Sequence, residues 1–262
     1  MNVRDYLKWV YTTAISNFQH LTWAHNNVYY RGQGNCEWEL KPSLFRHNGM
    51  LEYDLLHNAI NVAWQEITSA TSYLEKIILL QHYGLPTRLL DITMNPLVAL
   101  YFACQEEKDD QGREKDGIVY SGYIAADNYL DIETICSTIF QNEPCPAYER
   151  KIGEFELDNP IFSSMCSNAH IVRPPLNSNR LIAQDGAFIM APLLENDHGI
   201  WRFNTAEINR SEYFPYSKRI PARYKVSIKK ELMTYGIHEG SLFPDLEHKL
   251  KSVSRKYFNI TK

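Results

Sequence analysis

Leu80-Gln81-His82-Tyr83-Gly84-Leu85-Pro86-Thr87-Arg88-Leu89-Leu90-Asp91-Ile92-Thr93-Met94-Asn95-Pro96-Leu97-Val98-Ala99-Leu100-Tyr101-Phe102-Ala103-Cys104 places polar and ionisable side chains directly before a run that is wholly apolar or aromatic. Asn95 suits the N-cap of a helix, and Pro96 suits the first helical position, where its missing N–H costs nothing. A helix apolar on every side must be buried on every side. Its N-terminus carries free N–H groups and the positive end of the helix dipole, so His82, Arg88, Asp91 and Thr93 cluster where an anion such as a phosphate would be favoured.

Upstream, Tyr73, Leu74, Ile77, Ile78 and Gln81 recur at helical spacing and stop at Gly84-Leu85-Pro86. Leu51, Leu55, Leu56, Ile60 and Ala63 predict another helix, and residues 3–20 an amphipathic one. Val28-Tyr29-Tyr30-Arg31-Gly32-Gln33 reads as a strand running into a glycine turn. Downstream, 105–116 is a charged turn, and Gly117-Ile118-Val119-Tyr120-Ser121-Gly122-Tyr123-Ile124 is the clearest strand of the chain. Residues 127–178 predict long loops and short helices, Ala187–Ala191 a strand, and the last 45 residues helical periodicity. Strands and helices that do not alternate regularly argue for an α+β fold over a doubly wound sheet. Neither a Gly-x-Gly-x-x-Gly nor a Walker A pattern is present.

The 262 residues carry a net charge of −4, which argues against a general nucleic-acid footprint and leaves a local basic groove open. Five cysteines without a C-x-x-C pair speak against zinc and against a disulfide framework, so no metal is expected and Cys36 reads as an ordinary thiol. No signal-peptide run and no stretch of transmembrane length stand out, which predicts a cytoplasmic protein with no membrane partner.

Several of these residues admit two readings. Arg31, at a strand end beside Gly32, can fork onto a diphosphate or pair with a carboxylate at the sheet edge. His82 and Tyr83, at a helix end, can meet a ligand, or His82 can satisfy the last carbonyls. Arg88 and Asp91, three apart among aliphatics, are expected to be buried partners of one another. Thr93 can cap the following helix or touch a ribose.

Tyr30-Arg31-Gly32-Gln33, Trp38-x-Leu40-x-Pro42-Ser43 with Arg46, and the block Gln81–Ala103 resemble the FRG domain, a sequence domain of bacteria and phages named for a Phe-Arg-Gly triplet. Arg180-x-x-x-Gln184-x-Gly186-x-Phe188 and Gly236-Ile237 with Leu242-Phe243-Pro244-Asp245-Leu246 extend the resemblance over about residues 20–250. A second resemblance is to ADP-ribosyltransferases of the cholera-toxin type. Arg31 matches their first-strand arginine, Asp91-Ile92-Thr93 before Ala99-x-x-x-Ala103 their second element, and Gln184 stands in the place of their catalytic glutamate.

That resemblance implies NAD as substrate, with Arg31 and Gly32 at its diphosphate, Thr93 at the ribose, and Tyr83 within the nucleotide-binding set. It puts His82 on the nicotinamide or acceptor side and has Gln184 with Asp185 orient the acceptor. Because Gln184 is neutral, Asp185 or Asp91 would have to supply the negative charge, or the nucleotide is bound without turnover. The expectation is a single α+β domain over 1–262 that resembles the ADP-ribosyltransferase fold, with small sheets flanking a cleft and helices around them. It would act as a toxin or anti-phage effector on a protein or nucleic acid, with an antitoxin protein as a further partner. The alternative is a non-catalytic nucleotide-binding or interaction module.

Overall fold

The computed structural model describes residues 1–15, 28–46, 52–67, 72–123, part of 132–139, 167–173, 179–197, 200–203 and 208–244. In chain order these form α1 (Val3–Trp9), β1 (Val28–Gln33), α2 (Glu52–Val62), α3 (Trp64–Ile67), α4 (Tyr73–His82), β2 (Leu89–Thr93), α5 (Pro96–Ala103), β3 (Gly117–Tyr123) and β4 (His170–Val172). There follow α6 (Asn179–Ala183), β5 (Gly186–Met190), β6 (Leu194–Asp197), β7 (Ile200–Phe203), α7 (Arg210–Tyr213), β8 (Tyr216–Ile220), α8 (Ala222–Thr234) and α9 (Glu239–Leu242). Helices and antiparallel strands are mixed, as the α+β expectation requires.

The small sheets expected to flank a cleft are joined into one six-stranded sheet of order β4-β5-β2-β1-β3-β8, beside a separate β6-β7 hairpin. Its middle is thin. β1 pairs with β3 at six positions and β2 with β5 at five, whereas β1 meets β2 only at Tyr30 and Thr93. The sheet is therefore two three-stranded halves held by one register pair.

Side chains alternate across a strand, and the alternation divides the core. One face carries Leu89, Phe188, Met190 and Val172 against α2 and α4, and Tyr30, Val119 and Ile220 against α1, α5 and α8. The other carries Tyr29, Leu90, Ile92, Ile118, Tyr120 and Ile189 under Leu40, Leu44, Phe45, Tyr213 and Phe214. Asn95 caps α5 through Leu97 N at 3.0 Å, and Val98, Ala99, Leu100 and Ala103 are fully buried. Burying Val98 and Leu100 contributes ~1.5–3 kcal/mol each.

α5 lies on bare backbone. A Cβ at Gly32 would stand 1.8 Å from the Ala99 carbonyl oxygen, and one at Gly117 would stand 1.9 Å from that of Ala103. No other residue type lets strand and helix approach so closely.

Three local expectations change. The helix over 3–20 is α1, capped by Asn2 and Asp5, then a π-helical turn over Val10–Ile15; residues 16–20 lie outside the described part. β4 falls where loops and short helices were expected, and β8 overlaps the start of the C-terminal region read as helical. Tyr216-Ser217-Lys218-Arg219-Ile220 has little apolar alternation of its own and becomes a strand by pairing with β3. The apolar positions at 246–257 lie outside the described residues.

Candidate functional site

The first turn of the site is built on a buried ion pair. Arg88 Nε donates to Glu52 Oε1 at 2.8 Å and Oε2 at 3.1 Å, and Nη2 also reaches Oε2. Nη1 donates to the carbonyls of Ala191 at 3.2 Å and Pro192 at 3.0 Å. The Arg88 side chain is 1 % exposed and that of Glu52 7 %. This corrects the expected Arg88–Asp91 pair. Arg88 precedes β2, and positions three apart on extended chain point to opposite sides, so the carboxylate comes from α2 instead.

Asp91 is the one exposed residue of β2. Its Oδ1 accepts from Gln81 Nε2 at 2.9 Å, while Gln81 Oε1 accepts from the Thr87 hydroxyl. Thr87 Oγ1 in turn accepts from Leu89 N at 3.2 Å, so its proton is committed to Gln81. This chain sets the amide orientation of Gln81 and aims its NH2 group at Asp91. The sequence shows Gln81 in a helical stripe and at the head of the FRG-like block without assigning it a site role; its place beside His82 at the helix end is the available signal. His82 is the last residue of α4, with its ring edge-on to that of Tyr83 at 5.4 Å, and Tyr83 is 73 % exposed.

Arg31 leaves β1 on the sheet face of Tyr29 and Tyr120, opposite Tyr120 in register. Past Tyr30–Thr93 the strands β1 and β2 part, and Arg31 reaches into that gap: its Nη1 donates to the Asp91 carbonyl at 2.5 Å. Its Nε is buried without a hydrogen-bond partner, as is Oε1 of Gln33, two residues along on the same face. No carboxylate forms an ion pair with Arg31 among the described residues. Burial lowers its pKa to about 10; the Asp91 charge opposes that shift and the Arg46 guanidinium adds to it. An arginine is thus held half out of water with another cation nearby, which is the environment an anionic ligand relieves.

Thr93 and Gln184 lie at the other end of β2, where α5 begins. Thr93 Oγ1 donates to the Gln184 carbonyl at 2.6 Å and accepts from Asn95 N at 3.0 Å. Gln184 Nε2 donates to the Leu242 carbonyl at 3.1 Å. Asp185 is exposed at a positive φ of 45°, and its carbonyl accepts from Met94 N at 3.0 Å. The structure thus brings the Arg31 guanidinium to the Asp91 main chain, sets the Asp91 carboxylate with Gln81 on the other face, and gathers Thr93, Gln184 and Asp185 at the strand end. Arg46, Gln33 and Tyr120 join Arg31 only through the fold. Tyr30, pushed up to about 12 by burial, and Cys104, likewise about 12, are neutral groups of the packing. Among the described residues no group of three His, Cys, Asp or Glu side chains could hold a metal ion, and no helix is long and apolar enough to cross a membrane.

An antiparallel sheet that parts beside an arginine, under a helix seated on glycine backbone, makes an α+β domain. Within it, residues 26–112 match the FRG domain, so an FRG domain is identified there. The matched segment holds Arg31, Gly32, His82, Tyr83, Arg88, Asp91 and Thr93; Gln184 and Asp185 lie beyond it. No curated protein matches the chain, and no solved structure does.

Proposed function

We propose that the gap between β1 and β2 binds a nucleotide through its diphosphate, that NAD is this nucleotide, and that the chain is an ADP-ribosyltransferase-like protein. The observation that carries the reading is Arg31: a guanidinium with a buried, unpartnered Nε, no carboxylate partner among the described residues, and a pKa lowered by burial. A diphosphate supplies two negative charges and forked acceptors, which match a guanidinium better than water does. Gly32 keeps α5 close behind the strand, and Tyr83 presents an exposed ring at the end of α4. The resemblance to transferase toxins supports an effector that modifies a protein or a nucleic acid.

A second reading, nucleotide binding without turnover, draws on the strand end. The Thr93 hydroxyl and the Gln184 amide are spent on main-chain carbonyls, and Gln184 brings no charge to a ribose. Calorimetry with NAD and the release of labelled nicotinamide separate the two. Binding with release supports the transferase reading, and binding alone the module. No binding by the wild-type protein overturns both.

A further inference from the structure

The geometry points to Asp91 as the catalytic carboxylate of this site, with Gln81 and Thr87 as its positioning residues. The inference rests on the nucleotide reading above and assigns the negative charge that Gln184 does not carry. β2 is otherwise buried, and Asp91 is its one exposed residue, open to water or to a ligand. It has no ion pair among the described residues, and Arg31, the neighbouring cation, donates to its main-chain carbonyl. The carboxylate is nevertheless held. Leu89 N, the Thr87 hydroxyl and the Gln81 amide form a directional chain that ends on Oδ1, leaving Oδ2 without a partner among the described residues.

Asp91 and Arg31 leave opposite faces of the sheet, but β1 and β2 are unpaired at this level, and the Arg31 guanidinium reaches across to the Asp91 main chain. The Asp91 charge is the largest charge effect on Arg31. A dinucleotide held by its diphosphate at Arg31 therefore brings a ribose within reach of Asp91. When the bond between C1′ and the nicotinamide nitrogen breaks, its electron pair leaves with nicotinamide and C1′ becomes an oxocarbenium ion. Asp91 faces that positive charge. The acceptor hydroxyl, or water, adds a lone pair to C1′ and passes its proton to Asp91 and on to solvent. An orienting hydrogen bond to one carboxylate oxygen leaves the other for this work.

Nicotinamide release and NAD affinity are measured for the wild type, Asp91→Asn and Gln81→Ala, with a thermal melt of each. Asp91→Asn preserves the shape and the acceptor for Gln81, so it should melt and bind NAD like the wild type and release nicotinamide about 100-fold more slowly. Gln81→Ala should lower kcat at unchanged KM. Release by Asp91→Asn at the wild-type rate overturns the assignment and leaves the nucleotide reading standing. A wild type that binds NAD without releasing nicotinamide overturns the assignment alone, and one that binds no NAD overturns both. Should Asp91→Asn fail to fold, Asp91→Ser takes its place: release at the wild-type rate without the carboxylate would overturn the assignment.

Discussion

Two arginines flank β2, Arg88 buried and Arg31 half-buried, and they have opposite surroundings. Arg88, at its start, meets a carboxylate on two sides and two carbonyls, so its charge is matched where it lies. Arg31, beside its middle, has one carbonyl, an orphan Nε and no ion pair among the described residues, with the Asp91 charge in range and the Arg46 guanidinium working against it. A matched buried charge holds its neighbours in place and has nothing left to offer a ligand. An unmatched one is tolerated only because the rest of the fold outweighs it, and its free valences face whatever enters. The contrast sets Arg88 in the scaffold and leaves Arg31 as the candidate on which the nucleotide proposal rests.

The sharpest way to break the comparison is to unmatch Arg88. Glu52→Ala leaves a guanidinium buried without its carboxylate and should cost ~3–5 kcal/mol in urea denaturation. Replacing both partners, as in Glu52→Leu with Arg88→Met, should recover much of that loss, because neither charge then needs hydration. A single variant as stable as the wild type would show that the pair is not a scaffold.

Arg31→Ala should do the reverse, keeping the fold and weakening NAD binding by ~1.5–3 kcal/mol in calorimetry. Unchanged affinity removes Arg31 from the ligand. The comparison also predicts a pH effect. The folded state holds the Arg31 proton less tightly than the unfolded chain, so the burial cost is present at neutral pH and fades as pH rises through about 10. Arg31→Met should therefore be at least as stable as the wild type at pH 7, with any advantage held up to about pH 10 and shrinking only above it in parallel melts. A growing advantage would contradict the burial argument. An exposed contact sets the floor: Lys115→Ala, which removes the 2.8 Å pair with Glu37, should change stability by under ~1 kcal/mol.

How much of this was legible follows from the range of each signal. The β2–α5 junction was readable because an N-cap, a proline and an apolar run are neighbours in sequence, and the structure forms the cap at Leu97 N. Arg31 stood out from its strand-end glycine. The partner of Arg88 did not, because Glu52 lies 36 residues away on another element, and nearest-charge reasoning chose Asp91 by a spacing that suits helices. The Gln81–Asp91 bond was hidden for a related reason. It needs the turn at 83–87 to fold α4 back against β2. β8 has no pattern of its own and exists through its pairing with β3.

The single register pair between Tyr30 and Thr93 has a mechanical consequence. A sheet joined at one point is a pair of stiff plates with a compliant seam, and α5 crosses that seam. The helix is tied by covalent chain to the plate containing β2, yet it is seated, carbonyl against glycine, on β1 and β3 of the other. It works as a stay: separating the plates would pull α5 off its seat, so the seam can flex without coming apart. Amide hydrogen exchange would see this as two protected blocks with fast-exchanging N–H groups on the edge of β2 that looks into the seam. A ligand lodged there would slow that edge first.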